Sequence, residues 1–259
     1  MNAQNNLLAE NYFEQGEYEK ALTLYTQLYK KNKYFNYFKA IVASHQQLEE
    51  YKEAEKLLKG RLNIKIIPQL YVELGYNYSL QENDSLATIN YNKAILFVKE
   101  SEKFNYGRSI GESFERYSLL DKAIETYLTA MDVFPDTDYS YQLARLYGEQ
   151  GNLEKMFDSY LVLIKKKRSY QGVAQQNFSL YISEDPAEEA NILLRKVLLQ
   201  KLQKQSDVLY NELLSWLFIQ QKEYKKAFTQ EKAIYKRMGN NDMSGIADIA
   251  YFATNDDDD

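Results

Sequence analysis

The sequence predicts an all-α fold assembled from about seven helix-turn-helix repeats and part of an eighth. Three observations carry that expectation. Small or modest side chains recur at Ala21, Ala54, Ala87, Ala123, Met156, Ala190 and Ala227, at spacings of 33, 33, 36, 33, 34 and 37 residues. A large side chain follows four residues on, at Tyr25, Leu58, Tyr91, Tyr127, Tyr160 and Leu194, and an apolar one three further, at Leu28, Ala94, Ala130, Leu163, Val197 and Ile234. Steps of four and three place these residues on one helical face. The third observation is scarcity: 3 Pro and 10 Gly in 259 residues leave few turn formers for a β fold.

The first helix of each repeat carries its own signature. It runs Leu8-Ala9 with Tyr12, Ile41-Val42 with His45, Leu74-Gly75 with Tyr78, Ile110-Gly111 with Phe114, and Leu143-Ala144 with Tyr147. Asn177-Phe178 with Tyr181 and Leu214-Ser215 with Phe218 are degenerate members, so the sixth and seventh repeats rest mainly on spacing. A glycine such as Gly75 lets a second helix approach its backbone, and Ala87 offers the matching small surface. Short polar turns join the helices, and Gly16 and Gly151 suit the left-handed residue that ends a helix. Pro68 and Pro135 fall between repeats, and Asp185-Pro186 reads as an N-cap followed by proline in a first helical turn. Arg61 and Glu231 break the two apolar rows.

This constellation resembles the tetratricopeptide repeat of bacterial-type helical scaffolds, whose period is about 34 residues. The resemblance implies a right-handed α-solenoid forming a single domain over 1–259. Its repeats would occupy 2–35, 36–68, 69–103, 104–136, 137–170, 171–207 and 208–240, with a partial capping helix in 241–259. Ser244 to Thr254 reads as that helix, packing through Ile249, Ala250 and Ala253. The chain stops where the next helix should begin, which predicts a fragment of a longer repeat protein; a native acidic tail is the alternative.

The resemblance further implies that first helices line a concave groove for a protein or peptide partner. The groove-facing candidates are Lys39, Tyr76, Arg108, Glu112, Tyr141, Arg145, Gln175 and Trp216. Gln46 and Val72 fall on the same inward positions. Tyr76, Arg108, Glu112, Tyr141 and Arg145 form the cluster of greatest interest, because Tyr and Arg combine contact area with fixed hydrogen-bonding geometry. Two arginines near two tyrosines suit an acidic or carboxylate-bearing peptide. The competing reading pairs Arg108, Glu112 and Arg145 among themselves. Chaperone-tail binders place Lys and Asn four apart on a first helix; here Asn6 and Glu10, then Lys39 and Ala43, hold those positions, and Glu10 would repel a terminal carboxylate.

Composition narrows the remaining function classes. Of the net charge of −5, four units sit in Asp256 to Asp259, so the body is near neutral and lacks the basic surface of a nucleic-acid binder. With no cysteine and one histidine, thiol chemistry is excluded, and His45 stands where other repeats carry an aromatic ring, which predicts packing rather than catalysis. No catalytic residue, metal site or cofactor is expected, and the chain reads as no enzyme. The acidic run lacks the spaced ligands of a calcium loop. Lys165-Lys166-Lys167-Arg168 closes a helix whose negative end it complements. No apolar run approaches the roughly 18 residues of a membrane span. Asn2-Ala3 matches the remnant of a signal-peptide cleavage site, which predicts a periplasmic or exported protein; an ordinary polar N-terminus predicts a cytoplasmic one.

The function expected is therefore a peptide-binding scaffold without catalysis. The alternatives are a sensory or regulatory module signalling to a domain outside this chain, and a cell-envelope accessory or assembly protein. Self-association through the uncapped C-terminal end leaves the oligomeric state open.

Overall fold

A computed structural model of the chain describes residues 2–239 and 242–256. It forms two compact units, Met1–Asp138 and Tyr139–Asp259. The first contains α1 (Asn2–Glu14), α2 (Tyr18–Asn32), α3 (Phe35–Gln47), α4 (Tyr51–Ile64), α5 (Gln69–Ser79), α6 (Asp84–Glu100), α7 (Asn105–Arg116) and α8 (Leu120–Val133). The second contains α9 (Ser140–Glu149), α10 (Leu153–Lys166), α11 (Gln171–Phe178), α12 (Glu189–Lys204), α13 (Val208–Gln220), α14 (Tyr224–Arg237) and α15 (Ser244–Asn255). One turn of 3-10 helix, Arg168–Tyr170, precedes α11, and no strand occurs among the described residues. The fold is an all-α array of helical repeats. Within the first unit each helix packs on the next, α5 also reaches α7 and α6 also reaches α8; in the second, α9 packs on α10, α10 on α11 and α12, and α12 to α15 each on the next.

The periodic residues form the core. Ala21, Ala54, Ala87, Ala123, Met156, Ala190 and Ala227 are buried, as are Tyr25, Leu58, Tyr91, Tyr127, Tyr160 and Leu194. The glycine signature has a direct physical cause. A β-carbon on Gly75 would lie 2.4 Å from Cε1 of Tyr91, and one on Gly111 would lie 2.5 Å from Cε1 of Tyr127. Each ring lies close against a bare backbone, and its hydroxyl is hydrogen-bonded: Tyr91 with Ser79 at 2.9 Å, and Tyr127 donating to Glu115 at 2.5 Å.

The turns repeat as strictly as the helices. Gly16, Glu49, Glu82, Ser118, Gly151 and Lys222 all have φ between 54° and 77°, each five residues before its buried small residue. The next backbone N–H donates to the carbonyl of Tyr12, His45, Tyr78, Phe114, Tyr147 or Phe218, at 2.8–3.0 Å. These carbonyls belong to the signature residues of the first helices, and the bond is the six-to-one closure that satisfies a helix end. Four of the six positions carry a side chain where glycine would be unstrained. Ser118→Gly is therefore expected to stabilise the fold by up to about 1 kcal/mol, read as a raised melting temperature.

Three sequence expectations need correction. Asp185-Pro186 does not open a helix: α12 starts at Glu189, and Asp185 Oδ1 accepts from the Ala187 N–H at 2.9 Å within a loop. The Asn191 amide pins that loop by donating to the Ser183 carbonyl at 2.9 Å. Gln46 and Val72 are buried, at 4% and 0% exposure, so neither faces a partner. Ala250 is exposed, and of the face expected on α15 only Ile249 is fully buried.

Two departures from the repeat pattern, Glu231 and His45, have local reasons. Gly245, in the first turn of α15, lies so close to the Glu231 carboxylate that a β-carbon there would overlap it. An acid beside a helix N-terminus is favoured by the helix dipole. His45 is half-buried and its Nδ1 lies 2.6 Å from Glu50 Oε2, just before the first turn of α4. In the basic run, Arg168 pairs with Glu212 and Lys165 with Gln205. Asp256 pairs with the Tyr224 hydroxyl, and Asp257 to Asp259 lie outside the described residues. No helix among the described residues is long and apolar enough to cross a membrane.

Candidate functional site

The first helices of unit 1 hold two adjoining hollows of about 520 and 410 Å3 that share Tyr25, Asn36 and Ala40. On α3, Asn36, Lys39, Ala40 and Ala43 follow one another at steps of three, one and three, so one face of the helix forms the floor. The larger hollow is walled by Tyr34, Phe35 and Tyr37 and reaches Asn6 and Glu10 on α1. The smaller one runs toward Glu73 on α5 and toward Arg116 and Tyr117 at the end of α7.

Glu73 organises that second end. It is 3% exposed, its Oε1 accepts from Arg116 Nη1 at 2.8 Å, and its Oε2 accepts from the Tyr117 hydroxyl. Tyr76 stacks on Tyr117 with ring centroids 3.8 Å apart and planes 16° apart. Burial pushes the Glu73 carboxyl above its ordinary range, against the pull of Tyr117, Arg116 and Lys39. Lys39 is half-buried beside this group. Burial first, and then the Arg116 cation, hold its ammonium below the ordinary lysine value, against the attraction of Glu73. The Tyr117 hydroxyl is pushed up by burial and by the Glu73 charge, so it acts only as a donor here. The Tyr25 hydroxyl is raised to about 12, mainly by burial.

Two cations thus face one buried carboxylate, and Glu73 cannot neutralise both. The excess positive charge rests on Lys39 and on Arg116, whose side chain is 44% exposed. At the other end Glu10 supplies negative charge, its Oε1 accepting from the Asn6 amide at 2.9 Å. The trough is therefore polar along its length.

The residues expected from sequence fall in different places. Lys39 and Tyr76 belong to this site. Arg108 and Glu112 lie exposed on α7 and pair with each other at 2.7 Å, as successive turns of one helix permit. Tyr141, Arg145, Gln175 and Trp216 belong to unit 2. There Tyr141 packs edge-on against Tyr160 with centroids 6.5 Å apart, Arg145 pairs with Glu149, Gln175 is half-buried, and Trp216 leans on Phe178 at 6.3 Å.

Sequence reasoning missed Glu73, Arg116 and Tyr117, although a signal existed. The residue before each signature pair is Leu7, Ala40, Glu73, Ser109, Gln142, Gln176 and Leu213, and Glu73 alone is charged. Arg116 likewise is the one cation two places after a signature aromatic or histidine, where Glu14, Gln47, Leu80, Glu149, Ser183 and Gln220 stand in the other repeats.

No protein-family model matches the chain, and no curated protein matches it. Among solved structures it is similar to the C-terminal part of a TPR repeat-containing protein from Cytophaga hutchinsonii, with 18% identity over 93% of this chain and 97% of that one, at a TM-score of 0.35. It is also similar to a tetratricopeptide repeat protein from Parabacteroides merdae, with 13% identity over 98% of each chain and a TM-score of 0.35. A third is the TPR2AB domain of yeast Sti1 in its pHSP90 complex, with 14% identity over 97% of this chain and 96% of that one, at a TM-score of 0.33.

Proposed function

We propose that the protein is a non-catalytic scaffold that holds an extended peptide segment of a partner protein in the unit 1 trough. The observation that carries this reading is the charge polarity of the trough, with Glu10 at one end and the partly desolvated Lys39 beside Arg116 at the other. An acidic side chain laid against Lys39 restores to its ammonium the favourable surroundings that burial removed. Asn36, midway along the floor, supplies a donor and an acceptor to peptide backbone, and the tyrosines and phenylalanines around it supply contact area at low entropic cost. Arg108 and Glu112 on α7, and Tyr141, Arg145, Gln175 and Trp216 in unit 2, extend the same use of first-helix faces.

A peptide array probed with wild type and with Lys39→Glu tests the reading. Peptides carrying an acidic residue next to an aromatic or aliphatic one are expected to bind wild type and to lose about tenfold in affinity with the variant. Retention of the same peptides by both proteins would place the partner elsewhere.

A further inference from the structure

On α3, Phe38, Ile41 and His45 stand opposite Asn36, Lys39 and Ala43, and they floor a separate hollow of about 640 Å3 between α2 and α4. Its volume falls within the range of small-molecule sites. Phe38 and Ile41 are buried, Leu57 is half-buried, and Ile64 stands 78% exposed at the mouth. The Tyr29 ring packs against Phe38 with centroids 6.0 Å apart. Around this apolar surface stand Lys30, Lys33, Lys56 and Arg61, and none of the lining residues is an acid. Lys56 is loosely shared with Glu53 at 3.5 Å.

Arg61 is the residue that breaks the apolar row of the repeats. Every equivalent position, from Leu28 to Ile234, is apolar and buried. The Arg61 Nε is buried without a hydrogen-bond partner among the described residues. An unsatisfied buried donor of a charged group costs stability, so nothing in the fold itself explains arginine at this position. Gly60 adds a second anomaly. It lies inside α4, where alanine is better tolerated, and a β-carbon there would meet nothing within 4 Å. A bare backbone at that point keeps the hollow open beside Arg61.

We propose that this hollow binds an amphiphilic carboxylate, its chain seated on Phe38, Ile41 and Leu57 and its headgroup paired with Arg61. A carboxylate satisfies the guanidinium, and the lysine rim adds attraction for the same charge. An apolar tail removes water from the exposed edge of Leu57 and Ile64.

Calorimetric titration of the full chain with decanoate tests the site, with decyltrimethylammonium as the same chain bearing the opposite charge and inorganic phosphate as an anion without a chain. Decanoate is expected to bind at least about tenfold more tightly than either. Arg61→Leu restores the residue type of the other repeats and is expected to weaken decanoate about tenfold without lowering the melting temperature. Gly60→Ala is expected to raise the melting temperature while weakening decanoate. Unchanged decanoate affinity in Arg61→Leu, equal affinity for phosphate, or a marked fall in melting temperature for Arg61→Leu would overturn the proposal. Lys39→Glu, on the opposite side of α3, is expected to leave decanoate binding within about twofold, so this site and the peptide trough fail or hold independently.

Discussion

Tyr127→Ala is expected to cost about 4 kcal/mol of folding free energy, measured by urea unfolding, as befits the removal of a fully buried aromatic ring. The size follows from three losses at once. The ring leaves a cavity between α7 and α8, the close contact with the Gly111 backbone disappears, and Glu115 loses its tyrosine donor. Gly111→Ala attacks the same contact from the other side. A methyl 2.5 Å from the ring forces the helices apart, costing about 1–3 kcal/mol, from which better helix propensity returns up to about 1. The two changes are not independent. In the double variant the new methyl grows into the space the ring vacated, so the combined loss should fall short of the sum by about 1 kcal/mol or more. Strict additivity would mean that Gly111 and Tyr127 do not hold α7 and α8 together. The Gly75 and Tyr91 pair should behave in the same way.

Arg116→Met is expected to lose about 2–3 kcal/mol at neutral pH. Removing one member of a buried pair strands Glu73, and the value is set below that of fully buried pairs because the guanidinium is 44% exposed. The pH dependence has a definite sign. Burial raises the Glu73 carboxyl in the folded state above its unfolded value, so folding favours the protonated form. That contribution is fully present below the unfolded value and is lost as pH rises through the folded one. Without Arg116 the folded value rises further, so the deficit of the variant should be largest at pH 8 and shrink on acidification toward pH 5. Glu73→Gln keeps the shape and removes the charge, and in the Arg116→Met background it should recover most of the loss at pH 8. A deficit that grows on acidification would show that Arg116 acts through something other than the Glu73 charge.

The framework of the fold was legible because it is repetitive. Ala21 and Ala54 report the same contact in successive repeats, and Gly75 and Gly111 report the same close approach, so each instance supports the others. The turn after α7 shows the limit. Ser118 carries the same positive φ as Gly16, yet a serine gives no hint of it, and only its place five residues before Ala123 does. The seventh repeat reads as degenerate because Ser215 and Glu231 break its rows, but Lys222 closes its turn as regularly as any other. The site was harder to read for the opposite reason. Arg108 and Arg145 stand out in the sequence as arginines at positions expected to face a groove, and each finds an acid one turn along its own helix. Glu73, Arg116 and Tyr117 meet across 43 and 44 residues of chain, and a pairing of that range leaves no periodic trace.

The loop from Ser179 to Glu188 replaces the tight closure used at the other six turns, and α11 is only 8 residues long. Around it α12 packs back onto α10, so the second-helix row continues where the first-helix row thins. Stability in a linear array passes only between neighbours, so a short member acts like a weak link bridged by a splint. The contact of α12 with α10 therefore carries the array past α11 without depending on it. Phe178, the last residue of α11, packs on Trp216 of α13, so the short helix is tied to the next first helix through its final turn.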